Sequence, residues 1–253
     1  MKPSQKQGLA RRLGAVLLSA SLLGLGGCAT VHQPDPADPL QSYNRSMDRV
    51  NEELDKAVLK PVATAYETVL PQPVRSGVSN FFGNLGDVWS FVNNVLQGKS
   101  EGALHSFWRV VVNTTIGIGG LFDPASEMRL ERHREDFGQT LGYWGVGPGP
   151  YVVLPLLGPS TLRDTLALPL DWLGHPRGQI NDIPVRNSLT ALEFVNVRAR
   201  LLEAGDLLEG AALDPYSFKR DAWLQKRRND VYDGDPPEDD ERYDLDEERY
   251  DLD

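Results

Sequence analysis

A single cysteine, Cys28, follows Leu25-Gly26-Gly27 at the end of an apolar run from Leu13 to Leu25, itself preceded by Lys2, Lys6, Arg11 and Arg12. A basic start, a short apolar stretch and small residues before a lone thiol have the layout of a lipoprotein signal, cut so that Cys28 becomes the N-terminus and carries lipid. The run is too short to be read as a retained spanning helix. Each buried methylene of an acyl chain adds about 0.8 kcal/mol of membrane affinity, so the anchor is durable. The consequence for folding is direct. With its only thiol acylated, the chain has no disulfide and relies on packing and membrane contact. Ala29 replaces the Asp that usually marks inner-membrane retention in enteric bacteria, which points to the outer membrane and its periplasmic face.

Charge divides the remainder. Removal of residues 1–27 takes away four positive charges, so the formal net charge of −10 becomes −14. From Asn229 to Asp253 thirteen acidic residues stand against Arg242 and Arg249, leaving about −3 for Cys28 to Arg228. A near-neutral body lacks the Lys/Arg field that phosphate backbones require, which argues against nucleic-acid binding. Expected boundaries are a signal over 1–27, a Pro/Asp-rich tether over 28–37, one helical body over 38–233 and a disordered acidic tail over 234–253. The tail repeats itself, Arg242-Tyr243-Asp244-Leu245-Asp246 returning at Arg249 to Asp253.

Helical periodicity dominates the body. Asp38-Pro39 offers a start for a helix carrying Tyr43, Met47, Val50, Leu54 and Ala57; Pro61 is expected to interrupt it, and Val62, Ala65, Tyr66 and Val69 resume the period. A second helix is expected from Val74 to Gly98 with Gly98 as its cap, and a third from Ser100 to Val112. Phe107 to Phe122 is the longest apolar stretch of the body, yet Arg109, Asn113, Thr114, Thr115 and three glycines break it, so it does not cross a bilayer as a helix. Gly138 to Pro159 mixes glycines and prolines with Tyr143, Trp144 and Tyr151, and reads as a long hairpin-like loop with an apolar surface. Gly174 to Pro184 is expected to be loop; an amphipathic helix through Leu189 to Leu202 and a last one from Asp214-Pro215 follow.

The search for chemistry returns little. Gly98-Lys99-Ser100 ends like a phosphate loop, but position 93 is Asn and a helix precedes it. Gly117-Ile118-Gly119-Gly120 lacks the spacing and strand of a dinucleotide site. No Gly-x-Ser-x-Gly elbow occurs. His32, His105, His133 and His175 lack metal-ligand spacing. No catalytic, cofactor or metal residue is assigned. Asp123, Arg163 and Asp164 lie beside apolar stretches and are candidates for a polar passage or for structural ion pairs.

Specific residues then resemble a known family. Asp38-Pro39-Leu40, Leu59-Lys60-Pro61-Val62-Ala63, Ser79-Asn80-Phe81-Phe82-Gly83-Asn84-Leu85 and Asn113-Thr114-Thr115-Ile116-Gly117 are similar to segments of the MlaA (VacJ) lipoproteins. Glu135-Asp136-Phe137-Gly138-Gln139-Thr140-Leu141-Gly142, Gly145-Val146-Gly147-Pro148-Gly149-Pro150-Tyr151 and Gly158-Pro159-Ser160-Thr161-Leu162-Arg163-Asp164 continue the resemblance in order. It implies an all-α, disc- or ring-like body in one leaflet of the outer membrane around an amphipathic channel; Asn113, Thr114, Asp123, Arg163 and Asp164, polar within or beside apolar segments, are the candidate lining of such a path. It also implies a non-enzymatic component of phospholipid transport that removes mislocalised lipid from the outer leaflet. A soluble periplasmic carrier, MlaC, and trimeric porins would be its partners. Gly145, Gly147, Gly149 and Pro150 would belong to a loop that gates the channel, the alternative being a rigid structural loop. Little of the family pattern is found over Leu166 to Arg186. Two other classes stay open on the residues alone: a lipoprotein that braces porins without transport, and a lipid hydrolase with Ser and His in an unfamiliar arrangement.

Overall fold

A computed structural model describes residues 38–205 and 214–237; the signal, Cys28, the tether and most of the acidic tail lie outside the described residues. The body is helical apart from one small sheet. Helix α1 (Gln41–Leu54) runs through a π turn (Asp55–Leu59) into α2 (Lys60–Val69) without a break. Pro61 therefore does not interrupt the helix. An α turn would press its ring against a carbonyl one turn back, and the wider π turn, in which Lys60 N–H reaches the Asp55 carbonyl, spares it that clash. Arg198 holds the same turn with a two-pronged bond to Asp55 at 2.7 and 2.8 Å.

Helices α3 (Gln72–Leu96) and α4 (Ser100–Thr115) form a tightly packed hairpin. Gly98, at φ +72°, makes the expected cap: its N–H reaches the Val95 carbonyl and that of Lys99 reaches Asn94, the paired bonds of a Schellman motif. A short α5 (Pro124–Glu127) follows, then α6 (Phe137–Tyr143). Strands β1 (Tyr151–Leu154) and β2 (Gly158–Thr161) pair antiparallel, with Tyr151 opposite Thr161 and Leu154 opposite Gly158. Helices α7 (Leu162–Gly174), α8 (Ile183–Arg200) and α9 (Pro215–Val231) complete the body, a 3₁₀ turn (Pro176–Gln179) lying between α7 and α8.

A second sequence expectation changes here. The start of the glycine-rich segment is helix, not loop. Asp136 caps α6 by accepting from Gln139 N–H at 2.9 Å, and Gly138 and Gly142, four residues apart, share a face. A Cβ at Gly138 would lie 2.4 Å from Asp164, and one at Gly142 2.7 Å from Arg163, so these glycines serve close packing and do not break the helix. The apolar run from Leu166 to Leu173 is helical, with Pro169 inside α7.

The core is inverted. Among the described residues, twenty buried residues are polar or charged and eleven are apolar, while thirty-seven large apolar residues are exposed. Helix α3 buries Phe82 beside Asn84, Asp87, Ser90, Asn93 and Asn94, and α4 buries Gly102, Ala103, Ser106, Arg109 and Asn113. Phe107, Trp108, Ile116, Ile118 and Phe122 face outward. Water-soluble domains seldom expose contiguous apolar surface on that scale, whereas a body solvated by lipid does so at no cost. No described helix is long and apolar enough to cross a membrane.

Candidate functional site

Three networks gather many of the buried polar groups. In the first, Arg109 of α4, 1% exposed, donates from Nε to Asp87 at 3.1 Å, from Nη1 to Ser126 at 3.1 Å and to the Leu130 carbonyl at 2.6 Å, and from Nη2 to both oxygens of Asp123 at 2.9 Å. Arg132 meets Asp87 from the other side at 3.1 Å. Asn113, one turn after Arg109, donates to Asp123 at 2.9 Å and accepts from Ala125 N–H at 3.1 Å. Burial alone would raise the Asp123 carboxyl; the bonds from Ser126, Asn113 and Arg109 outweigh it and bring its pKa down to about 2. A depressed carboxylate stabilises the fold above its unfolded value near 3.8, and that contribution disappears as pH falls from there through about 2. An acid titration followed by circular dichroism is expected to show Asp123→Asn flattening the loss of stability in that window.

In the second network Arg227 of α9 bridges two helix starts. It donates to Asp136, the cap of α6, at 2.6 and 2.7 Å, and to Asp164, in the first turn of α7, at 3.0 Å twice. Burial opposes ionisation of both carboxylates, and the Arg227 bonds hold both below their ordinary values. Arg163 donates to Asp164 at 3.0 Å and reaches the Val146 carbonyl at 3.3 Å.

In the third, Asn44 of α1 donates to Asp38 at 2.7 Å and to the Tyr151 carbonyl at 3.0 Å, and accepts from Val153 N–H at 2.8 Å. Asn51, two turns later, repeats the pattern on Leu154 and Leu156 at 2.9 and 2.8 Å. Tyr216 of α9 donates to Asp38.

Between these seams lies a cavity of about 740 Å³, walled by α3, residues 134–136, Leu157 at the hairpin tip, α7, the 3₁₀ turn and α8. Its wall is mixed. Phe82, Trp89, Leu168, Trp172 and Phe194 supply apolar surface among Asp, Glu, Arg and His side chains. Asp171 fixes one side by accepting from Trp89 Nε1 and Phe137 N–H, both at 2.7 Å, and burial raises its carboxyl pKa. Burial, with Arg177 adding to it, pushes His175 down to about 4, so it is neutral at ordinary pH. A Cβ on Gly174 would lie 2.1 Å from the Trp89 ring. Gly174→Ala is accordingly expected to push the indole off Asp171 and lower the unfolding free energy by about 1–3 kcal/mol, read by denaturant titration in detergent.

The sequence-derived candidates fall outside that wall. Asn113 and Asp123 bond each other within the first network, and Thr114 accepts from Asn84 at 3.0 Å. Arg163 and Asp164 belong to the second. Arg163 also lines a smaller pocket of about 360 Å³ with Gly145, Gly147 and Arg227. Among the loop residues, Gly145 and Gly149 adopt φ of +89° and +66°, as only glycine does readily. The loop is pinned at both ends: Val146 N–H bonds the Leu141 carbonyl, and the Pro148 and Pro150 carbonyls accept from Arg163 and Leu162 N–H. His105 and His133, scattered in sequence, meet at 3.3 Å. Sequence reading missed the wall from α7 and α8; Trp172, His175 and Arg177 around the proline-interrupted apolar run were the available signal.

A family model described as MlaA lipoprotein matches residues 36–230. The chain belongs to the MlaA lipoprotein family. Among its MlaA relatives, the intermembrane phospholipid transport system lipoprotein MlaA of Escherichia coli is 40% identical over 223 residues, covering 85% of this chain and 86% of the relative. The protein of the same description from Haemophilus influenzae is 33% identical over 235 residues, covering 86% and 89%. A chain solved in work on the structural basis for maintenance of bacterial outer membrane lipid asymmetry superposes with a TM-score of 0.69 at 37% identity, covering 77% of this chain and 98% of that one. The MlaA-like body thus has its helical fold in common with a solved relative.

Proposed function

We propose that this protein is a lipoprotein component of intermembrane phospholipid transport, working without covalent chemistry in the maintenance of outer-membrane lipid asymmetry. The observation that carries the reading is the inverted body: exposed apolar faces suit it to lipid, and a cavity walled by both ring systems and charges suits an amphiphile whose head and tails need different surroundings. The relatives' described roles support the same reading. In this reading Cys28 carries the lipid anchor, and the body lies in the inner leaflet of the outer membrane. It takes mislocalised phospholipid from the outer leaflet and passes it to a soluble carrier of the MlaC type, held in place by a trimeric porin.

The test is genetic and chemical together. Cells lacking the gene are expected to accumulate phospholipid at the surface and to lose resistance to detergent with chelator; unchanged outer-leaflet composition sinks the reading. The loop of Gly145, Gly147, Gly149 and Pro150 acts as the gate. Gly147 has open space where a Cβ would stand, and its N–H makes no hydrogen bond among the described residues. Gly147→Ala is therefore expected to be silent, whereas Gly147→Pro, which locks the backbone, slows lipid transfer about tenfold with the unfolding midpoint unchanged.

A further inference from the structure

We infer that Arg134 and Arg200 make the cavity selective for lipids with a net negative headgroup, by engaging the phosphodiester and leaving no free carboxylate pair for a headgroup ammonium. The inference rests on reading the cavity as a lipid passage and names what that passage prefers. It follows from which wall charges are already taken. Asp87 is held by Arg109 and Arg132, both at 3.1 Å, Glu135 by Lys99 at 3.0 Å, Asp136 by Arg227 at 2.6 Å and Glu193 by Arg177. Asp171 has no ion-pair partner among the described residues, but it accepts the Trp89 and Phe137 donors and its burial favours the neutral form.

The basic side is different. Arg177 is occupied by Glu193 and by the face of Trp172. Arg134, in the segment before α6, and Arg200, the last residue of α8, both line the cavity, and among the described residues neither side chain has a hydrogen-bond or ion-pair partner. Two arginines without partners thus line the cavity, against one shielded carboxylate. A guanidinium offers a fork of donors that matches two phosphate oxygens at once. The apolar wall of Phe82, Trp172 and Phe194 takes the acyl chains. A phosphatidylglycerol headgroup brings one negative charge and no cation. Phosphatidylethanolamine brings the same phosphate with an ammonium that the two arginines repel.

The experiment measures equilibrium binding of fluorescent phosphatidylglycerol and phosphatidylethanolamine to the full-length acylated protein in a non-ionic detergent, at low and at physiological salt. The unaltered protein is expected to bind the glycerol lipid about fivefold more tightly at low salt, the ratio shrinking as salt screens the charges. Arg134→Gln with Arg200→Gln is expected to bring the ratio to about one. Arg134→Lys with Arg200→Lys is expected to restore most of it, and Arg129→Gln, outside the cavity wall, to leave it alone. Both positions are exposed and unpartnered, so the unfolding midpoint stays constant. A wild-type ratio of one or below, or a ratio that survives the double glutamine variant, overturns the selectivity while leaving the passage intact. Binding of neither lipid by the unaltered protein overturns the passage itself, and the selectivity with it.

Discussion

Arg109→Leu is expected to lower the unfolding free energy by about 3–5 kcal/mol, measured by denaturant titration of the full-length protein in detergent. The residue is 1% exposed and donates to Asp87, Asp123, Ser126 and the Leu130 carbonyl. Its removal leaves the buried Asp87 and the half-buried Asp123 with Arg132 as their remaining cation and strips a backbone carbonyl of its donor. The size of the effect comes from those abandoned partners more than from the lost attraction. Arg109→Lys separates the two contributions. It keeps the charge but cannot span the four partners, so it is expected to recover about half of the loss. A cost under 1 kcal/mol for the leucine variant would mean that water or lipid headgroups reach the seam and that the packing of α3 on α4 does not depend on it.

Asn44→Ala is expected to cost about 3 kcal/mol and to loosen the β hairpin selectively, seen as faster amide exchange over residues 151–154 than in the α3–α4 pair. One side chain satisfies the Asp38 carboxylate, the Tyr151 carbonyl and the Val153 N–H. Asn44→Asp keeps the volume but replaces the amide donor 2.7 Å from Asp38 with a second carboxylate, and is expected to cost more than Asn44→Ala at neutral pH. Equal exchange in both regions after Asn44→Ala would show that Tyr216 and Asn51 hold the hairpin without it.

Much of the helical framework was legible because its signals are local. The Schellman cap at Gly98, the Asp-Pro start at Asp214 and the long period of α3 depend on residues within a turn of one another. Pro61 and the Gly138/Gly142 pair were misread for the opposite reason. A proline is compatible with a π turn that sequence does not announce, and a glycine needed because Arg163 or Asp164 packs against it looks, in one dimension, like a glycine that breaks a helix. The site was harder still. Asn113, Asp123 and Asp164 within apolar segments signal buried polarity, but the same pattern serves a pore wall and an ion-pair seam. Asp123 and Asp164 pair with Arg109 and Arg227, and the latter, which also reaches Asp136 91 residues away, is a partner that no local pattern announces.

The inverted core reverses the usual map of mutational tolerance. In a water-soluble enzyme, a leucine-to-serine change is harmless on the outside and ruinous within. In the lipid setting proposed for this body, outward positions such as Phe107, Ile116 and Leu166 would tolerate a greasy replacement but be penalised by a hydroxyl or a charge, while Asn93 and Thr140 inside cannot become valine without stranding a neighbour. Surface engineering for solubility, routine elsewhere, would dissolve this molecule out of the environment that its sequence is written for.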